Sequence, residues 1–241
     1  FIAIAKGDVP SAHWFHLGRA LVNVHRRPVL VSWSASMFEY LMPLLFLRTY
    51  PGTLLDQSCR NALRRQIEYA GERRVPWGIS ESAYDFVDRR GHYQYKAFGV
   101  PGLGLKRGLA DDLVVAPYAT ALATMVDPSA ATRNFEKLVA VGGRGRFGFY
   151  EALDYTPARL PKGSGVAIVR AFMAHHQGMT MVAIADALLD GIMRTRFHAE
   201  PIVQATELLL QERTPRDVAV ARVLEGRMIA AAAFRRQPGG R

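Results

Sequence analysis

Thr53-Leu-Leu-Asp-Gln-Ser-Cys-Arg-Asn-Ala-Leu-Arg-Arg-Gln-Ile-Glu-Tyr-Ala70 is the stretch on which the reading of the fold turns. It follows the turn pair Pro51-Gly52, and Thr53 with Asp56 three residues on makes a capping-box-like start. Leu55, Cys59, Ala62, Leu63, Gln66, Ile67 and Ala70 then recur at steps of three and four, while Arg60, Arg64, Arg65 and Glu68 fill the opposite side until Pro76. That period is an amphipathic helix laid on a core.

Working outward, the same logic predicts helix, loop, helix. Upstream, Leu41–Leu47 is a short apolar run broken by Pro43. Downstream, Val75 to Leu109 is rich in Gly, Pro, Tyr and charge, which predicts a long irregular segment with a short hairpin near His92–Phe98. Asp111-Asp112 reads as the cap of an inner helix over Leu113–Val126, apolar on nearly every side although Pro117 falls within it. Asp127-Pro128 opens another through about Val141, stopped by Gly142-Gly143. A long helix is expected over Val166–Leu189, and Pro201–Glu212 and Thr214–Phe234 read as helical too. The fold class is therefore mainly α, in antiparallel hairpins joined by ordered loops.

With 241 residues, about half of them apolar, the chain can bury a sizeable core, as one large domain or most of one. Lys and Arg outnumber Asp and Glu by 31 to 21, a balance compatible with nucleic acid, anionic lipid or an acidic glycan. The arginines are scattered from Arg19 to Arg241, however, which describes a solvated surface rather than a binding stripe. One cysteine, Cys59, excludes an internal disulfide, and its place on the apolar stripe predicts a buried thiol. No apolar run reaches the roughly 18 residues of a membrane span, and the opening Phe1-Ile-Ala-Ile-Ala-Lys6 reads as that of an excised soluble piece.

Three motif-like stretches lose to simpler readings. Gly102-Leu-Gly104-Leu-Lys-Arg-Gly108 has the spacing GxGxxxG and no strand before it, so it does not predict a dinucleotide loop. Gly142-Gly-Arg-Gly-Arg-Phe-Gly148 is a single short copy that a helix stop and turn explain. His175 and His176 are adjacent on a predicted helix and point about 100° apart, unlike the i, i+4 pair of a helical zinc site. No metal and no cofactor are expected.

Three carboxylates lie in aromatic surroundings of low charge: Glu39 in Met37-Phe-Glu-Tyr-Leu41, Glu81 in Trp77-Gly-Ile-Ser-Glu-Ser-Ala-Tyr84, and Glu151 in Phe147-Gly-Phe-Tyr-Glu-Ala-Leu-Asp154. Aromatic rings stack on the apolar faces of pyranoses, and Trp77, Tyr84, Tyr93, Tyr95, Tyr150 and Tyr155 supply them. Carboxyl groups in apolar settings can serve as acid or nucleophile, although any one of them could equally be a helix cap or an ion-pair partner.

Seven blocks, in order, resemble the glycoamylase-like domain of cyclic β-1,2-glucan synthases. They are Trp14–Arg19, Ser32–Pro43, Trp77–Tyr84, Lys96–Lys106, Leu113–Thr120, Gly148–Pro157 and Phe172–Met179, and the likeness runs from about Phe1 to Ala187. Val22–Pro28 departs from the family's usual Gly-containing turn, and the match weakens beyond about Arg213. The resemblance implies an (α/α)6 barrel-type helical toroid, incomplete at its N-terminal side, with residues 1–241 a fragment of one domain and 214–241 a weaker-matching helical tail. It further implies retaining transglycosylation that closes linear β-1,2-glucan into rings. Glu81 and Glu151 are then the catalytic acids, and Glu39, Trp77, Tyr84, Lys96, Tyr150, Asp154, His175 and Gln177 the substrate contacts. The implied partners are β-1,2-glucan and the glucosyltransferase and phosphorylase-like domains of a longer parent, an inner-membrane protein with this part on the cytoplasmic side. A hydrolase using the same cleft, a non-catalytic glucan-binding segment and, third, a nucleic-acid binder are the alternatives.

Overall fold

The computed structural model describes residues 1–24, 27–214, 217–224 and 227–235, the last two stretches as backbone. The helix that follows Thr53 runs over Leu54–Arg73. The Thr53 side chain accepts from the Asp56 N–H, and Arg74 ends the helix in the left-handed region at φ 58°. Cys59, Ala62, Leu63 and Ala70 of the expected stripe are buried.

Pro117 is not inside its helix but at its first turn: the helix spans Pro117–Ala123, where a missing N–H costs nothing. Val114 and Val115, expected to be helical, instead form a strand antiparallel to Ala152–Asp154. That strand pairs in turn with Ala167–Val169, so the expected 166–189 helix begins only at Ala174 and runs to Leu188. The β-branched pairs Val114-Val115 and Ile168-Val169 look alike on a helix and on a buried strand, and short apolar runs do not separate the two.

Pro128–Ala140 is a helix as expected, with the Asp127 carboxylate accepting from the Ala130 N–H. The expected hairpin joins Ser82–Val87 to Tyr93–Lys96, with Ala83 opposite Tyr95. Met42–Leu45 is a single 3-10 turn, and Pro201–Glu212 divides into a helical turn at Pro201–Gln204 and a 3-10 turn at Glu207–Gln211.

The tail corrects the reading most. Asp217–Leu224 and Arg227–Arg235 are antiparallel strands, and the first runs parallel to Leu21–Val24, which pairs with Arg27–Leu30. The alanines at 230–233 favour helix by propensity, but pairing in a sheet outweighs that weak preference. Helices carry the core while the described residues also form four small sheets, so "mainly α" understates the strands.

At the centre lies the short Pro117–Ala123 helix, buried along its whole length and packed against Ala174–Leu188, Pro128–Ala140 and Met37–Leu41. Two buried amides tie an irregular strip to this centre. Gln66 accepts from the Ile79 N–H at 2.9 Å and donates to the Ile79 carbonyl at 2.8 Å. Asn134 does the same for Trp77, at 3.1 and 2.8 Å, and donates also to Thr120 Oγ1. Residues 77–79 therefore hold a fixed path outside any named strand, tied by these side chains, by a bridge of Ile79 to Val115 and by the Ala116 N–H on the Gly78 carbonyl.

Candidate active site

That fixed strip delivers Glu81. Tyr118 of the central helix donates to the Glu81 carbonyl at 3.0 Å, and its hydroxyl also lies 2.8 Å from Ser80 Oγ. The Glu81 side chain is half-buried and meets the hydroxyl of Tyr95 from the neighbouring strand. Burial first, then the charge and hydrogen bond of Glu81, hold the Tyr95 phenol well above its ordinary range.

Glu151 sits immediately before the Ala152–Asp154 strand, its N–H bonded to the Ala171 carbonyl at 3.0 Å. Its carboxylate has no solvent-exposed surface. Oε1 accepts the Ala83 N–H at 3.1 Å, and His176 Nδ1 lies 2.9 and 3.0 Å from the two oxygens. His176 is 1% exposed, lies in the first turn of the Ala174–Leu188 helix, and stacks on the Tyr118 ring at 3.8 Å between centroids and 11° between planes. Its Nε2 is 3.3 Å from the Tyr95 hydroxyl. Tyr95, His176 and Glu151 thus form one hydrogen-bonded line that ends on a buried carboxylate, with the half-buried Glu81 near its outer end. Beside it is a pocket of about 110 Å³ whose lining includes Pro117, Tyr118, Phe149, Tyr150, Glu151 and Gln177.

The other expected site residues divide into three groups. Tyr150, His175 and Gln177 lie at this centre: Tyr150 and Gln177 line the pocket, and the His175 ring is 4.0 Å from that of His176. Burial, then the neighbouring His176, lower the His175 pKa. Tyr84, Lys96 and Asp154 belong instead to a second cluster around Arg159, which pairs with Asp154 at 2.6 Å and Asp112 at 2.7 Å and lies over the Tyr84 ring at 4.9 Å; Lys96 pairs with Asp112 too. Asp154 is fully buried, its oxygens also taken by the N–H groups of Asp85 and Thr156. Glu39 and Trp77 do structural work. Glu39 closes a capping box with Ser36 and accepts the Ser34 N–H at 3.0 Å, and Trp77 is 4% exposed in the core.

Sequence reasoning passed over His176, weighed only as half of a metal pair, and gave no role to Tyr118. Nothing in their local sequence marks them, because each matters through a partner 25 or 37 residues away.

The glucoamylase family model (Glycoamylase) matches residues 3–201. Among curated proteins, the cyclic β-(1,2)-glucan synthase NdvB of Rhizobium meliloti (strain 1021) is 49% identical over 218 residues, covering 90% of this chain but 8% of that protein. Solved structures with the same fold include a Bacteroides caccae protein described as a glucoamylase, with 19% identity, TM-score 0.62, and coverage of 87% of this chain and 52% of that one. An endo-β-1,2-glucanase of Chitinophaga pinensis, in complex with sophorotriose and glucose, gives 17% identity, TM-score 0.60, and coverage of 86% and 51%. The fold falls within the glucoamylase-like helical class. The chain belongs to the Glycoamylase family. Among the described residues, no helix is long and apolar enough to cross a membrane.

Proposed function

We propose that this chain acts on β-1,2-glucan, closing linear chains into rings by retaining transglycosylation, within a longer synthase whose glucosyltransferase and phosphorylase-like domains lie elsewhere in the parent. The placement that goes with it is a part of an inner-membrane protein facing the cytoplasm. The helical hairpins are read as one side of an (α/α)6 barrel. The observation that carries the activity is the buried Glu151 carboxylate, tied through His176 to Tyr95, with Glu81 close enough to influence the same phenol. The family match and the synthase relative support the substrate class.

Ring closure exchanges one glycosidic bond for another of similar energy, so the cleaved chain must stay activated until its own far end attacks. A covalent glycosyl-enzyme does this. Glu81, half-exposed and in contact with Tyr95, is assigned as proton donor and later as base. Glu151 is assigned as nucleophile. Its Oε1 keeps the Ala83 and His176 bonds, and Oε2 is the atom that turns toward C1. A sugar ring must part the walls of the 110 Å³ pocket to reach it. Tyr150 and Gln177 in those walls, and His175 beside them, are the assigned substrate contacts at this centre. Tyr84, Lys96 and Asp154 bear on substrate only through the Arg159 cluster.

Mass spectrometry of linear β-1,2-glucan after incubation with the full-length protein carrying this chain tests the reading. Products one water lighter than the linear chains, lost in Glu81→Gln and Glu151→Gln, are expected. Shortened linear products would make it a hydrolase, and unchanged glucan from folded protein would reduce it to a binding segment.

A further inference from the structure

The hairpin that leads into Glu151 shows its tip to solvent. Arg144-Gly145 pairs antiparallel with Gly148-Phe149, which leaves Arg146 and Phe147 as the two-residue turn. Its base is closed. A Cβ on Gly145 would come within 2.4 Å of the Tyr150 hydroxyl oxygen, and one on Gly143 within 2.8 Å of the Leu138 carbonyl oxygen. Gly148 carries φ 117°, which residues with a side chain rarely adopt. On this base Phe147 is 75% exposed.

Phe147 is the outermost of three rings. It meets Phe172 edge-on with 6.3 Å between centroids, and Phe172, 41% exposed, lies 5.5 Å from Tyr150. Tyr150 lines the pocket beside Glu151. The rings therefore step from solvent to the pocket wall. Guanidinium groups back two of them: Arg146 lies over Phe147 at 5.2 Å and Arg170 over Tyr150 at 5.5 Å. Arg144, Arg146 and Arg170 are exposed, and among the described residues none of them makes an ion pair. Core packing does not account for the arrangement, because a phenylalanine at a turn tip buries little apolar area. A further helix laid across it would have to bury three unpaired cations, which is costly.

Resting on the proposed glucan chemistry, we infer that Phe147, Phe172 and Tyr150 form a stacking track for the glucan units that lie beyond the one at Glu151. A pocket of about 110 Å³ is too small for a chain, so those units need a surface outside it. The apolar face of a pyranose lies on an aromatic ring, and Arg146 and Arg170, each already against its ring, offer N–H donors to the hydroxyls alongside. The track also suits a reaction in which a second stretch of the same chain must wait near the glycosyl-enzyme. An anionic membrane surface is the other ligand that a basic, aromatic tip fits, but membrane contact gives the rings no reason to continue inward to Tyr150 and the wall of the Glu151 pocket.

The test titrates the full-length protein with linear β-1,2-glucan by calorimetry, in a Glu81→Gln background so that binding is read apart from turnover. Phe147→Ala should weaken binding about tenfold, the size of one good aromatic contact. Phe147→Trp, which restores a ring, should bring it back to within about threefold of the parent. Phe172→Ala is the second variant, with a loss of similar size expected. In the otherwise wild-type protein Phe147→Ala should raise KM for linear glucan while kcat changes by less than about threefold, because its ring lies two steps from Glu151. Affinity indifferent to both Phe147 and Phe172 would overturn the track, even if rings are made. Glucan bound with this dependence but never turned over would uphold the track and sink only the ring-closing assignment. Loss in Phe147→Ala of binding to vesicles rich in anionic lipid, with glucan affinity unchanged, would replace the track by a membrane contact.

Discussion

Asp112 shows how a single residue in the second cluster is set by competing terms. Burial by itself would raise its pKa, but hydrogen bonds from Lys96 and Arg159 and their charges outweigh it and leave the carboxyl below the ordinary value. A folded pKa depressed below the unfolded one, about 3.9, contributes stability that is fully present above that pH and lost as the pH falls through the folded value. Asp112→Asn should therefore lower the stability measured by urea unfolding at pH 7 by roughly 2 kcal/mol, less than a fully buried pair because Lys96 is 41% exposed. The difference should shrink below about pH 4; a pH-independent difference would mean that charge is not its source. Cys59 offers a second check at this scale. It is buried, and burial first, then the nearby Asp56, push its thiol up to about 12. Thiol-specific alkylation should proceed only as fast as the chain opens, and rapid labelling of the native protein would contradict the packing. At the centre itself, Glu81 and Glu151 were legible because acids in aromatic, charge-poor surroundings are unusual. Glu39 was legible for the same reason, and its place in Ser36-Met-Phe-Glu39 was equally that of a capping box.

Elements with a long period or a strong cap were readable from the chain: the Leu54–Arg73 and Pro128–Ala140 helices start and stop where Thr53, Asp127 and Gly142 say they should. The rest was not, because partners distant in sequence decide it. Val114-Val115 and Ala167–Val169 become strands only by flanking Ala152–Asp154. The strand at Asp217–Leu224 similarly depends on Leu21–Val24. The irregular 77–79 strip owes its path to Gln66, which the sequence placed on the helix's core face without saying what it binds. Removing one amide should release this element while sparing the helix that bears it. Asn134→Ala is expected to cost roughly 2 kcal/mol, since it leaves the buried Trp77 N–H and carbonyl unpaired. Hydrogen exchange should rise at Trp77 and Ile79 well before it rises in the Leu54–Arg73 helix; uniform acceleration over both would show that the strip has no separate anchoring.

Over the whole molecule, the Ala174–Leu188 helix is the element whose burial does not match its composition. Only His176, Ala183 and Asp186 of its residues are buried, although the sequence from Gly178 to Leu189 is almost entirely apolar. Met181, Leu188 and the adjoining Leu189 are 72%, 78% and 62% exposed. A helix apolar all round is ordinarily an inner one, covered on every side. The solved relatives are longer, this chain covering 52% and 51% of the two structures described above. In the barrel proposed for the complete domain, that remaining length supplies helices to lie across Met181 and Leu188. The consequence is measurable on the 241-residue chain itself. Contiguous apolar surface of this kind drives association and dye binding. The chain should therefore bind anilinonaphthalene sulfonate and sediment as oligomers, with Met181→Lys and Leu188→Lys together reducing both. The full-length protein, with the face covered, should bind little dye, and the same two lysines should destabilise it by several kcal/mol by burying charge without a partner. If the chain alone is monomeric and dye-silent, and the lysines are harmless in the longer protein, then water already covers this face. The toroidal closure would then have lost its packing argument.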